Sequence, residues 1–261
     1  MNGAASQAVA GRAEKAARFR PYFDLQLRFA EAMAAACGYA WARSLVLNTN
    51  FHRRFALGDW NAGPVRPFWA DYLAAMENVS GHKARLDVTC DFFARAEAET
   101  LPANQKEFGC FTLEPLKPEG VVRIHFGNRS PIRDDLGPLS QARQPDRLAE
   151  LRALFAYVHR QMPEARVLQG GSWLYNVEAY RRLFPPSFVQ SRVRLTGLRN
   201  FAGTSSWGQF LDHRGAIKPD LRTRFLENLK TLDPENPAGS FPMPALGTRA
   251  PVDVFYSFYG V

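Results

Sequence analysis

The sequence predicts an α+β protein, with a helical N-terminal part packed on an α/β C-terminal part whose sheet is mixed or mostly antiparallel. Three observations predict it. The first hundred residues carry apolar side chains at helical spacing. After Leu101-Pro102 the pattern turns to short alternating runs broken by glycine and proline. One amphipathic stripe, Leu148, Leu151, Leu154, Phe155 and Val158, then falls between two strand-like runs. Three segments follow: a loose N-terminal arm over 1–20, a helical subdomain over 21–102 and an α/β domain over 103–261.

The arm is rich in Ala, Gly, Ser and Arg and has little to bury. Pro21 suits a helix start, and Phe23, Leu27, Ala30, Met33 and Ala34 share one face before Gly38. A second helical segment runs through Trp41, Leu45 and Leu47. The Asn50–Phe55 run reads either as a ligand edge or as a helix end with packed phenylalanines and wet arginines. Pro67 opens a third helix, and His82–Glu99 forms a fourth with His82 at the surface.

Phe108–Leu116 and Val121–Phe126 read as strands of a hairpin around a turn at Lys117–Gly120. On the second strand Val122, Ile124 and Phe126 share one face and Val121, Arg123 and His125 the other. The polar loop 127–140 suits a lid or a disordered excursion. Pro145 begins the clearest helix. The stretch Arg166–Phe188 then gives a short strand at Val167-Leu168, a glycine pair at Gly170-Gly171, Ser172, Trp173 and Tyr175, and an N-cap at Asn176. Pro185 and Pro186 stop the helix. Two readings of the glycine pair stand: a strand-to-helix ligand junction, or a turn that folds Trp173 back on the core. Gln190–Leu198 alternates as a strand, Gly208–Leu211 reads as another, and Asp212–Gly215 as a turn. Pro219 starts a helix, Asp233–Pro251 reads as irregular, and Val252–Tyr259 as a closing aromatic strand.

The charge is +8, from 33 Lys+Arg against 25 Asp+Glu, and most of the positive charge is arginine. The arginines are scattered, with pairs only at Arg53-Arg54 and Arg181-Arg182, and form no nucleic-acid stripe. An arginine-for-lysine bias follows from genome composition alone, with a phosphate-bearing small molecule as the next reading; the partner expected is a small-molecule substrate or a protein. No apolar run approaches the roughly 18 residues of a membrane span, and no leader pattern is visible in the first 20 residues. Cys37, Cys90 and Cys110 make no CxxC pair or disulfide framework, which fits a reducing cytoplasm. The histidines show no metal-binding spacing, so no metal is expected.

Chemistry is expected at loop ends of the second half. His125 or Asp212 would accept a proton. Ser172, Trp173, Tyr175 and His213 would line a substrate pocket. Arg194 and the glycine-exposed N–H at Gly197 would hold phosphate. A Ser–His–Asp set exists by inventory, but Gly170–Leu174 lacks the GxSxG form.

Ile124-His125-Phe126, Gly137-Pro138-Leu139, Ser172-Trp173-Leu174 and Leu183-Phe184-Pro185-Pro186 give residues 121–200 a pattern that resembles GNAT-like acyltransferase-related proteins of obscure function. The resemblance implies a mostly antiparallel sheet flanked by helices and an acyl-transfer ancestry without the activity; the cofactor it suggests is an acyl-CoA. The family's loop has the form Arg/Gln-x-x-Gly-x-Gly/Ala and opens a helix; this chain has Arg199 where the last glycine or alanine belongs. Two functions are therefore expected: a small-molecule transferase, most concretely an acyl-CoA-dependent N-acyltransferase, or a non-catalytic companion subunit or scaffold that holds a partner enzyme or its substrate.

Overall fold

A computed structural model describes residues 2–58, 65–97, 104–116, 120–128, 136–197 and 201–261, with side chains from residue 11 onward. Leu101-Pro102, residues 117–119 of the hairpin turn, residues 129–135 of the long loop and Arg199 lie outside the described residues.

Five helices come first: α1 Asn2–Cys37, α2 Trp41–Asn48, α3 Phe51–Arg54, α4 Pro67–Glu77 and α5 His82–Arg95. Strands β1 Lys106–Phe108, β2 Phe111–Leu116 and β3 Val121–Phe126 follow, then α6 Gln144–Gln161 and β4 Val167–Ser172. The short helices α7 Glu178–Arg181 and α8 Pro186–Gln190 lead to β5 Val193–Arg194. After α9 Thr204–Trp207 and α10 Pro219–Leu229 the chain closes with β6 Leu246–Pro251 and α11 Asp253–Tyr259.

The chain forms two compact units: Met1–Thr100 with Thr196–Pro242, and Leu101–Leu195 with Met243–Val261. The sequence reading kept 103–261 together, but residues 196–242 belong with the helices. The reason is aromatic. Phe29 of α1 touches Phe201, Trp207, Phe225 and Phe241 at ring distances between 5.2 and 6.0 Å. Those rings have no periodic signature of their own, so their destination is set by the cavity they fill.

In this helical unit α1 begins well before Pro21 and runs through it. A proline inside a helix removes one hydrogen bond and costs about 3 kcal/mol. Packing on both sides offsets the loss. Ala16 and Phe19 are buried upstream of it, and Phe19 meets Phe23 and Phe93. The expected loose arm is therefore helical backbone, with its later turns in the core. The Asn50–Phe55 run is a packed helix end, since Asn50, Phe51, His52 and Phe55 are all buried. Gln26 accepts from the Asn50 backbone N–H at 2.7 Å, and Asn50 donates to the Tyr22 hydroxyl at 2.8 Å. His82 is no simple surface residue: it bridges Asp24 at 2.7 Å and Glu31 at 2.9 Å.

The second unit is a six-stranded mixed sheet in the order β1-β2-β3-β4-β6-β5. Among the described residues only β3 and β4 pair in parallel; α6 connects them, as a parallel crossover requires. One sheet face carries Phe111, Leu113, Val122, Ile124, Leu168 and Ala250. It packs with Leu151, Leu154, Phe155 and Val158 of α6 and with Phe255 and Tyr259 of α11.

Two end segments differ from expectation. Residues 246–251 are a strand, and 253–259 are a helix. Val252, Phe255 and Tyr259 are the buried residues, spaced three and four apart, which is one helical face. Phe255 and Tyr259 stack on Phe155 at 4.6 and 5.1 Å, and the Tyr259 hydroxyl donates to the Leu183 carbonyl at 2.6 Å. Gly208–Phe210 is likewise a 3₁₀ turn, and the strand expected over 190–198 shrinks to β5. Asn176 does not cap a helix; its amide donates to the Trp173 and Pro244 carbonyls.

The glycine pair divides its work by face. A Cβ on Gly170 would run into the Tyr175 hydroxyl and lie 2.7 Å from Thr248 Oγ1. Gly170 is thus the floor on which Tyr175, rather than Trp173, folds into the core. Gly171 points to the opposite face, where a Cβ would have only Leu195 within reach, at 3.9 Å. Gly170→Ala is expected to lower unfolding stability by about 1–3 kcal/mol through overpacking, and Gly171→Ala to change it by under about 0.5 kcal/mol. Urea denaturation of the two variants checks this, and equal losses would contradict it.

Candidate functional site

Strand alternation puts every second residue on the outer face of the sheet, where an apolar row, Leu116, Val121, Val167 and Pro251, lies beside a polar one. Register places Glu114 of β2 opposite Arg123 of β3, Arg123 opposite Gln169 of β4, and Gln169 opposite Arg249 of β6. One polar row therefore crosses four strands. Thr112 and His125 form the next row on β2 and β3.

His125 is held by a carboxylate. Its Nε2–H donates to Glu114 Oε2 at 2.7 Å, and Arg123 Nη1 lies 4.0 Å from the same oxygen. This hydrogen bond, helped by the Arg123 charge and by Asn104, holds the Glu114 carboxyl below its usual range, although burial works the other way. A carboxylate accepting from Nε2–H selects that tautomer and leaves the Nδ1 lone pair as the basic position. The imidazole is 39% exposed, so a substrate can reach it.

The β3–β4 ladder then ends. It pairs Val121–Arg123 with Val167–Gln169 and goes no further, although both strands continue, to Phe126 and Ser172. His125 and Gly171 stand two residues past the last pair on their strands. Gly171 and its partner Gly247 on β6 bring no side chain to this place. Leu195 lies against the Gly247 side, where a Cβ would sit 2.8 Å from its Cδ2. Ligands of parallel strands are held at such carboxyl ends.

The other residues named from sequence divide into several groups. Ser172 Oγ accepts from the Leu174 N–H at 3.1 Å and caps the 3₁₀ turn Trp173–Asn176. Tyr175 is fully buried beside Tyr180 and Phe188, with its hydroxyl pushed up to about 12 by burial, so it walls no pocket. Trp173 is half-buried against the same core. Asp212 and His213 belong to the helical unit. Asp212 Oδ1 accepts from the Arg214 and Ala216 N–H groups, both at 2.8 Å, which makes it the clasp of a turn rather than a base. Arg194 is exposed on β5, and Gly197, with φ +67°, is exposed in the helical unit's segment. Neither is joined to the His125 row by any strand pairing.

Sequence reasoning missed Glu114, Arg123, Gln169 and Arg249. The signal for the first two was present. A hairpin closed at Leu116 and Val121 puts Glu114 across from Arg123 and diagonal to His125.

Two shallow concavities lie in the helical unit. One of about 410 Å³ is lined by Arg28, Glu31, Leu226, Leu229 and Lys230, the other, of about 190 Å³, by residues around Asn228 and Asn236. Arg28 is bound to Asp24 and Lys230 to Glu227, so the first has no spare cation to offer. Among the described residues no cluster of His, Cys, Asp and Glu could hold a metal ion, and no helix is long and apolar enough to cross a membrane. None of the three cysteines forms a disulfide. No family model, curated protein or solved structure matches the chain.

Glu114 sets a pH dependence. Its folded pKa is depressed, so its contribution is present above the ordinary carboxylate range and is lost as pH falls through the lower folded value. Glu114→Gln is expected to lower stability at pH 7 by about 0.2–1 kcal/mol, the range for half-exposed pairs. It should also flatten that part of the decline between neutral and acid pH. Thermal melts across pH 3–7 test both, and parallel wild-type and variant curves would refute the assignment.

Proposed function

We propose that the chain is a small-molecule transferase of the acyl-transfer kind, with His125 as the proton acceptor. One observation carries the reading: a carboxylate-held, accessible histidine stands where two parallel strands stop pairing. In this reaction the acceptor amine forms a C–N bond with the acyl carbon of an acyl-CoA and the C–S bond breaks. The amine proton passes to His125 Nδ1 and from there to the leaving thiolate. Glu114 stabilises the imidazolium through Nε2–H and fixes the ring. An acyl-CoA is an extended donor, and the end of the β3–β4 ladder beside His125 is where its acyl end would meet the base. The donor's phosphates were assigned from sequence to Arg194 and Gly197, but the residues that best fit this role are those flanking His125 on the sheet.

A non-catalytic companion subunit is the second reading. It draws on Val193, 62% exposed on the two-residue edge strand β5, and on Phe258, 44% exposed.

The test is acetyl-CoA added to the full chain, with binding read by calorimetry and thiol release read with a panel of amines. Saturable binding is expected, with a loss of about 100- to 10,000-fold in kcat/KM for His125→Ala. A flat titration at millimolar acetyl-CoA would overturn the transferase reading, and copurification of a partner from the native host would then favour the companion.

A further inference from the structure

We infer that Arg123, Gln169 and Arg249 form an oxyanion-binding strip beside His125. The inference rests on the polar face being the site, and it names the chemistry of the substrate held there: a diphosphate or a dicarboxylate. The three residues are neighbours across β3, β4 and β6. Adjacent strands stand about 4.8 Å apart, so the two arginine Cα atoms are about 10 Å apart with the amide between them. Guanidinium side chains of this length can converge from that separation on one group and bind its oxygens in bidentate fashion.

These side chains are largely uncommitted. Among the described residues Gln169 and Arg249 make no side-chain hydrogen bond or ion pair, and Arg123 has only the 4.0 Å approach to Glu114. Arg123 is half-exposed and Arg249 exposed, and both stand on the face away from α6 and α11. The row does not line up like charges against each other, because Gln169 separates them. It begins at Glu114, whose carboxylate is already taken by His125. The strip therefore offers cations on one side and the base on the other, the arrangement needed to hold an anionic tail while the reacting group lies at Nδ1. The overall charge of +8 adds long-range attraction for such a ligand.

The experiment is calorimetric titration of the full chain with inorganic pyrophosphate at low ionic strength, and with malonate in a second arm. Saturable one-to-one binding is expected. Arg123→Gln and Arg249→Gln should each weaken it about tenfold or more, the loss of a charge-assisted hydrogen bond. Arg249→Lys, which keeps the charge and loses the fork, should fall between. Arg160→Gln, on the exposed side of α6, should stay within about twofold. Tighter binding of pyrophosphate than of malonate assigns the strip to phosphate, and the reverse order assigns it to carboxylate. No saturable binding of either anion, or an equal loss in Arg160→Gln, overturns the strip. Pyrophosphate carries no acyl group, so the result is separable from turnover. Arginine-dependent binding in a protein that transfers no acyl group keeps the strip and removes the transferase, and turnover without it does the opposite.

Discussion

The early end of the β3–β4 ladder is the constraint on which the outer face depends. Up to Arg123 and Gln169 the two strands are ordinary parallel neighbours. Beyond that point β3 stays paired with β2 and β4 stays paired with β6. The sheet keeps its integrity through these outer pairings. His125 sits on the part of β3 past the last β3–β4 pair, and Leu195 packs over Gly247 and within 3.9 Å of where a Cβ on Gly171 would stand. A single side chain on Gly171 would narrow this place, whereas one on Gly170 would break the core beneath it.

The inner face explains how the early end of the ladder is tolerated. Tyr175, Tyr180, Phe184 and Phe188 fill the layer behind β4, and Phe126 meets Tyr180 at 5.5 Å. Aromatic pairs of this kind contribute about 0.5–1.5 kcal/mol each beyond their buried area. The stretch Arg166–Phe188 is thus an organising element, as the sequence suggests, but chiefly of packing. Its Ser172 hydroxyl holds a local turn, and its Asn176 amide ties that turn to the Pro244 carbonyl before β6.

Much of the fold was legible because period and punctuation are local. Pro67, Pro145 and Pro219 stand at helix starts, and the hairpin of β2 and β3 follows from alternation and a four-residue turn. What was illegible is nonlocal. Val252–Tyr259 is so aromatic that period two and period 3.6 both find apolar matches, and only Phe155 across the core decides for the helix. Residues 196–242 read as a continuation of the sheet domain because nothing in them announces Phe29 as their partner. The site was legible by half for the same reason. His125 could be placed on a polar strand face, and Glu114 lay within reach of the hairpin register. Gln169 and Arg249 join only through pairings that span the chain from β3 to β6. Asp212 was drawn in by its place after an expected strand over 208–211, which is a 3₁₀ turn instead, and its carboxylate closes its own turn.

The site depends on one protonation pattern, in which Glu114 takes the Nε2–H of His125 and leaves Nδ1 bare past the last β3–β4 pair. Long-range nitrogen–proton correlation spectra of the histidine rings, recorded at alkaline pH, read that pattern directly. His125 is predicted to show the Nε2–H tautomer in the wild type and a mixture of tautomers in Glu114→Gln. A predominant Nδ1–H tautomer in the wild type, or a ring indifferent to Glu114, would contradict the account.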